Sequence, residues 1–285
     1  MAQGTGAGLV VVGVDGSAGS QAALQWAARR ACDRGMRLSL LAAPSARVLS
    51  LVGVRGQGTA EDALELRLRS ARDWVRESFP GVEVSADLVA EGAGVSLVAA
   101  SSSAQLLVMG TNVGRRGRAG LGGVADEVLT QARCPVAVVP PSVTGAARGP
   151  VIVAVEDVGT SGPVVAVAVA EALSAGELLV AVHRWDSDAV MPSRFRRSVA
   201  WAARGRSARV ARERMLDGLL QPYRAQHKGL LAETVVVEQS LRGALTGVSA
   251  NACLLVVGPG ERDVATSAAC PTIIVPTWID VRVGG

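Results

Sequence analysis

Aromatic residues are scarce in this sequence: two Phe, one Tyr and five Trp among 285 residues. A platform that stacks nucleic-acid bases needs such rings, so their scarcity argues against one. There are only two histidines, His183 and His227. They leave too few imidazoles for a His-built zinc centre, and no metal requirement is expected. The four cysteines (Cys32, Cys134, Cys253, Cys270) show no C-x-x-C spacing. Cys134 and Cys270 each precede Pro and an apolar run, which suggests repeat-equivalent core positions rather than bridge partners, and the four read as small buried thiols in a reducing compartment. Uncharged apolar runs such as Ser161–Ala170 and Leu178–Val182 are short. They fall well below the ~20 residues of a membrane helix, so no membrane partner is expected. The N-terminal MAQGTGAG has neither a basic region nor a long apolar segment. A signal peptide is therefore not expected, and a cytoplasmic location is.

The net charge is +4 and almost all of the positive charge is arginine. The densest run, Arg194–Arg214, reads first as a solvated helix face. Binding of a nucleic acid or another anionic partner is the alternative reading of the same arginines, but no recognised nucleic-acid module accompanies them. The chain length suggests about two domains.

In chain order, apolar strands alternate with amphipathic helices. Leu9–Asp15 is a strand ending on an acid, followed by Gly16-Ser17 and a helix with Leu24, Ala27, Ala28 and Ala31 on one face, ending near Gly35. Arg37–Ala43 is a strand, Ala60–Ser78 a helix stopped by Pro80-Gly81, Val82–Val89 a strand and Gly94–Ser102 a short helix. Leu106–Met109 is a buried strand that opens at Gly110 into a loop holding Gly114, Gly117, Gly120, Gly122 and Gly123, with Arg115, Arg116 and Arg118 between them. The helix Val124–Arg133 and the strand Val136–Val139 close this half. A strand, a glycine-rich loop and a helix N-terminus is the arrangement that cradles phosphates, because the backbone amides and the helix dipole favour an anion, although a surface turn in an Ala/Gly-rich chain reads the same way. Strands alternating with helices imply a parallel, doubly wound sheet.

After the small polar linker 142–149 the pattern restarts. Val153-Ala154-Val155-Glu156 repeats Val12-Gly13-Val14-Asp15 at an offset of 141 residues. The expected elements are helices at Gly162–Ser174, Phe195–Gln221 and Leu241–Ala250, and strands at Glu177–His183, Leu231–Val237, Cys253–Val257 and Thr272–Val275. The halves differ at one place. Gly110 corresponds to Gly258 at an offset of 148, whereas Cys134 corresponds to Cys270 at 136. The second half is therefore 12 residues shorter where the first holds its glycine loop, and only Pro259-Gly260-Glu261-Arg262 is left there.

Two repeats that begin like VVGVDGS, pass through VMG and GGVADEV, and close on CPVAVV resemble a tandem universal stress protein. The resemblance is strong for Val11–Pro140 and weaker for Pro150–Pro276. It implies two tandem open five-stranded parallel sheets with helices on both faces, of the adenine nucleotide alpha hydrolase-like type. The domains would span 1–141 and 150–285 and pair through Val136–Val139 and Thr272–Val275. It also implies a stress-responsive, non-catalytic protein, with slow ATP hydrolysis at most. ATP or AMP would bind in the first domain, as ligands of open α/β sheets do, beyond the strands' carboxyl ends.

By the same resemblance Asp15 contacts adenine or ribose, Gly13 and Val14 shape the pocket wall, and Ala43 lines the base. Met109 and Gly110 flank the ribose, Gly114 belongs to the phosphate loop, and Gly122, Gly123 and Val124 offer amides to phosphate. The bland alternative for Asp15 is a cap or turn acceptor at the strand–helix junction. The sequence departs from the family's glycine pattern in three ways. Gly114 stands one position late, Gly122 follows Gly110 by 12 positions rather than 13, and Gly123 replaces the Ser or Thr whose hydroxyl holds phosphate. The loop arginines either compensate by pairing with phosphate or are solvated. In the second half Glu156 replaces the aspartate and the loop is missing, so nucleotide binding is not expected there. A homodimer and an unidentified protein partner stay open.

Overall fold

Strands built from Val, Leu, Ile and Ala with almost no charge can be buried on both faces, which is what a parallel sheet with helices above and below requires. The computed structural model describes residues 8–43, 60–111, 121–145, 148–185, 199–238 and 240–276. The first half runs β1 (Leu9–Gly13), α1 (Ala18–Arg34), β2 (Arg37–Ala42), α2 (Ala60–Ser78), β3 (Val84–Leu88), α3 (Ala93–Ala100), β4 (Leu106–Gly110), α4 (Gly123–Gln131), β5 (Val136–Val139). The second runs β6 (Val151–Val155), α5 (Gly162–Ala175), β7 (Leu179–Arg184), α6 (Val199–Gln226), β8 (Ala232–Val237), α7 (Leu241–Val248), β9 (Leu254–Val257), β10 (Thr272–Ile274).

The two expected sheets are halves of one ten-stranded sheet, in the order β3-β2-β1-β4-β5-β10-β9-β6-β7-β8. Neighbours inside each half are parallel, and β5 and β10 join antiparallel, Ala137 facing Ile273. The join has a plain physical cause. Every residue of β5 and β10 is buried, and either strand left as an edge would expose apolar side chains and unpaired amides. The twofold side-chain period of each strand divides the interior into two layers. One layer, which contains Val10 and Val12, runs on through Leu64 of α2 to Val165 of α5 and Leu216 of α6 in the second half. The other contains Val11 and runs from Leu97 of α3 and Val128 of α4 to Leu245 of α7.

Two expectations need correction, and one stretch gains an element. The helix expected to stop at Gln221 continues to Gln226 through Pro222. Buried Leu216 and Leu220 anchor it, and Arg224 ties its end to Asp217 at 3.3 Å and to the Ala232 carbonyl at 2.7 Å. These contacts outweigh the one helical hydrogen bond that proline removes. The shortened stretch after β9, where the sequence suggests no element, forms a 3-10 segment, Pro259–Thr266, that buries Val264 and Ala265. It stands in sequence where the first half has α4, so the second half lacks a full helix there as well as the loop. Finally, Cys134 and Cys270 are buried, and desolvation pushes both thiols up to about 12, but Cys32 is exposed.

Candidate functional site

In the first half β2 and β4 flank β1 on opposite sides. The crossovers after β1 and before β4 therefore diverge, and a crevice opens at the strands' carboxyl ends. Val12 pairs with Val108 and Gly13 with Leu41. These registers bring Asp15 level with Thr111 on one side and Ala43 on the other, so Asp15, Ala43 and Gly110 share one edge of the sheet.

Asp15 begins a tight turn. Its Oδ1 accepts the Ser17 amide at 2.8 Å, while the Ser20 hydroxyl accepts the amides of Asp15 at 3.2 Å and Gly16 at 3.3 Å. Gly16 has φ +80°, which suits glycine. Ser17 caps α1 by accepting the Ser20 amide at 3.1 Å. The turn-acceptor role is therefore realised. It leaves the Asp15 side chain exposed rather than buried, so the carboxylate still faces solvent at the crevice.

Gly110 has a packing duty as well. A side chain there would run into the backbone of Gly19 and Ser20, and one at Gly19 would run into the backbone of Thr111. The end of β4 thus lies directly against the first turn of α1. Neither Gly19 nor Ser20 is picked out by glycine spacing alone; the S-x-x-S pattern Ser17–Ser20 beside Asp15 is the signal that could have found them.

The remaining candidates divide. Ala43 is half-buried at the end of β2. Met109 points its side chain into the core with Leu97 and Val128, so only its backbone can serve the crevice. A side chain at Gly13 would meet Leu97. Val14 is buried and borders a cavity of about 460 Å³ between α1 and α2, with Gly16, Gln21, Arg67 and Trp74 on its walls. That cavity touches none of Ala43, Met109, Gly110 or Gly122–Val124. It neighbours the crevice without being the crevice. Gly122 has φ +83° and brings no capping side chain to α4. The first-turn amides of α4, those of Gly123 and Val124 among them, therefore lie at an end that favours anions, although Asp126 in the same turn already complements the dipole. Gly114, Arg115, Arg116 and Arg118 lie outside the described residues.

The second half fills the equivalent place with its own side chains. At the 141-residue offset, Asp15, Ala42 and Ala43 correspond to Glu156, His183 and Arg184. The Glu156 carboxylate leans over Gly258 and Gly260 and accepts the Glu261 amide. Desolvation pushes Glu156 above the ordinary carboxylate range, and that hydrogen bond opposes the rise. Glu261 is pushed up by desolvation and then by the Glu156 charge, with Arg242 and Arg184 pulling the other way. His183 is buried, its Nδ1 within 2.7 Å of the Val155 carbonyl. The histidine therefore works inside the second half's sheet, away from the first crevice.

Of the arginine run, Arg194, Arg196 and Arg197 lie outside the described residues. Arg209 pairs with Glu213 at 3.0 Å on an exposed stretch of α6, as a solvated face would. Among the described residues no three His, Cys, Asp or Glu group together, and no helix is long and apolar enough to cross a membrane.

Comparison with known proteins agrees with this fold. Residues 8–140 match the model of the universal stress protein family. A universal stress protein of Mycolicibacterium smegmatis is 28% identical over 293 residues, spanning 93% of this chain and 96% of its own length. One of Mycobacterium tuberculosis is 29% identical over 306 residues, spanning 93% and 94%. Among solved structures, a universal stress protein from Archaeoglobus fulgidus shares the fold with a TM-score of 0.68 at 14% identity, covering 94% of this chain and 98% of that one.

Proposed function

Since residues 8–140 match the universal stress protein family and relatives of that family align over nearly the whole chain, we propose that the chain belongs to it, that its first half binds an adenine nucleotide, ATP or AMP, and that its second half does not. The domains are 1–141 and 150–285, joined by 142–149. The protein acts by association in a stress response, in the cytoplasm, and turns nucleotide over slowly at most.

One contrast carries the reading. Exposed Asp15, small Ala43 and the uncapped glycine start of α4 meet at one edge in the first half, whereas Glu156, leaning over Gly258 and Gly260, and Arg184 take the corresponding places in the second. Asp15 lies where it can accept hydroxyls of a ribose or the amino group of a base. Glycine amides at α4 meet phosphate through the favourable end of the helix. Gly123 supplies no hydroxyl, and a hydrogen bond to a charged group is worth about 1.5–3 kcal/mol. Affinity is therefore modest beside that of a site with Ser or Thr at this position.

Calorimetric titration with ATP and with AMP tests the proposal, after a denatured aliquot has been checked for carried-over nucleotide. One site per chain is expected. Asp15→Ala should weaken binding roughly tenfold, about 1.4 kcal/mol, and Glu156→Ala should leave it unchanged. Equal losses from both variants, or no binding without carried-over nucleotide, would overturn the one-site reading.

A further inference from the structure

Arg30 on α1 and Glu171 on α5 stand 141 residues apart, the same offset that relates β1 and β2 to β6 and β7. Each therefore touches its own repeat counterpart, which happens only on the axis relating the halves. The sheet gives the same answer independently. Ala137 faces Ile273 across the β5–β10 join, and these two are counterparts at the 136-residue offset set by Cys134 and Cys270.

On that axis the halves are deliberately unlike. Arg30 grips Glu171 with both terminal nitrogens, Nη1 to Oε2 at 2.5 Å and Nη2 to Oε1, and Arg34 Nη2 adds 2.8 Å to Oε2. The Arg30, Arg34 and Glu171 side chains are 13%, 23% and 7% exposed. Arg30 also lies over the Trp26 ring at 5.1 Å. The counterparts of Trp26 and Arg34 are Val167 and Ala175. Two first halves pairing through this face would set Arg30 against Arg30. Two second halves would set Glu171 against Glu171. Buried like charges oppose both arrangements.

The strands themselves do not discriminate, since β5 and β10 are short and wholly buried. Nor does the cluster look optimised for stability, because Arg30 Nε finds no acceptor among the described residues. A buried ion pair is weak evidence for stability, and selecting a partner is what such a pair does well. We infer that Arg30, Arg34 and Glu171 form a pairing key: the β5 edge with its Trp26–Arg30–Arg34 face accepts the second half of this chain and rejects a second copy of itself.

The test uses the full chain with a protease site inserted between Gly145 and Arg148, cut after folding and examined by native mass spectrometry. The cut wild-type protein should stay as a one-to-one complex of its two pieces, with pairs of identical pieces roughly tenfold rarer or less. Arg30→Met/Arg34→Met/Glu171→Met should stay folded and form identical-piece pairs beside the mixed one. If that variant does not fold, Glu171→Gln decides, because it keeps size and an acceptor while removing the charge. It should yield pairs of second halves. Mixed pairs alone from the neutral variants would overturn the inference. So would separation of the cut wild-type pieces, since the linker would then be supplying the pairing by effective concentration alone.

Discussion

At the end of β4, Gly110 is wedged against Gly19 and Ser20, and an exposed Asp15 stands beside it; at the end of β9, Gly258 faces the carboxylate of Glu156. Both halves keep a glycine after the strand and an acid beside it, with the same strand order around them. They differ in what the glycine is for. Backbone presses on the first, while the mobile tip of a side chain rests near the second. The acid of the first half faces outward, and that of the second is drawn inward and desolvated. On the proposed reading, a duplicated fold keeps its frame and loses its site through one lengthened side chain and a shortened loop.

The contrast can be broken most sharply at the glycines themselves. Gly110→Ala should cost about 3 kcal/mol, because backbone cannot step aside, whereas Gly258→Ala should cost less than about 1 kcal/mol because Glu156 can swing away. Urea unfolding measures both, and comparable losses would show that the two turns are packed alike. Next in size is the tenfold loss of nucleotide affinity expected for Asp15→Ala and not for Glu156→Ala. A smaller effect lies at the helix start. Ser17→Ala removes the cap of α1 and should cost about 1 kcal/mol. Its repeat counterpart is Val158, and no side-chain cap holds the start of α5. Val158→Ala should therefore cost no cap, and melting the two variants side by side isolates the capping contribution.

The smallest expected difference is one of pH. Glu156 and Glu261 both rise above the ordinary 4.5 on folding. The folded state then holds their protons more tightly than the unfolded chain does. The stability they add is full below about 4.5 and is lost as pH rises through their raised values. Glu156→Gln keeps the acceptor for the Glu261 amide and removes one of the two charges. Its melting temperature should match or exceed that of the wild type near neutrality, and the gap should close as pH falls below 5. A gap that widens on acidification would mean that Glu156 is stabilised as a carboxylate.

Much of the frame was legible in advance. Ala60–Ser78 reads as a helix from Leu64, Leu68, Ala71 and Val75, and the structure has α2 over those same residues. Apolar runs such as Leu106–Met109 announce buried parallel strands, and the 141-residue echo announces the repeat. Less of the site was legible. Glycine spacing singles out Gly110 but not its partner Gly19, because close backbone contact joins residues far apart in the chain. Met109 lies in the right stretch, yet strand alternation turns its side chain into the core. Glu156 reads as the second half's replacement for the aspartate, and only the folded chain shows its carboxylate leaning over Gly258 and Gly260.

The sequence by itself determined the element order, the doubly wound class, the duplication and the loss of a loop, since all of these follow from local periodicity and comparison of the chain with itself. Tertiary structure alone decided that the expected pairing of the last strands is antiparallel and makes one continuous sheet, that Pro222 stays within a helix, and that Arg30 meets Glu171 on the axis. The reason is physical. Those outcomes depend on which buried surfaces and charges meet across the interior, and such meetings are set by packing between segments that no local pattern connects.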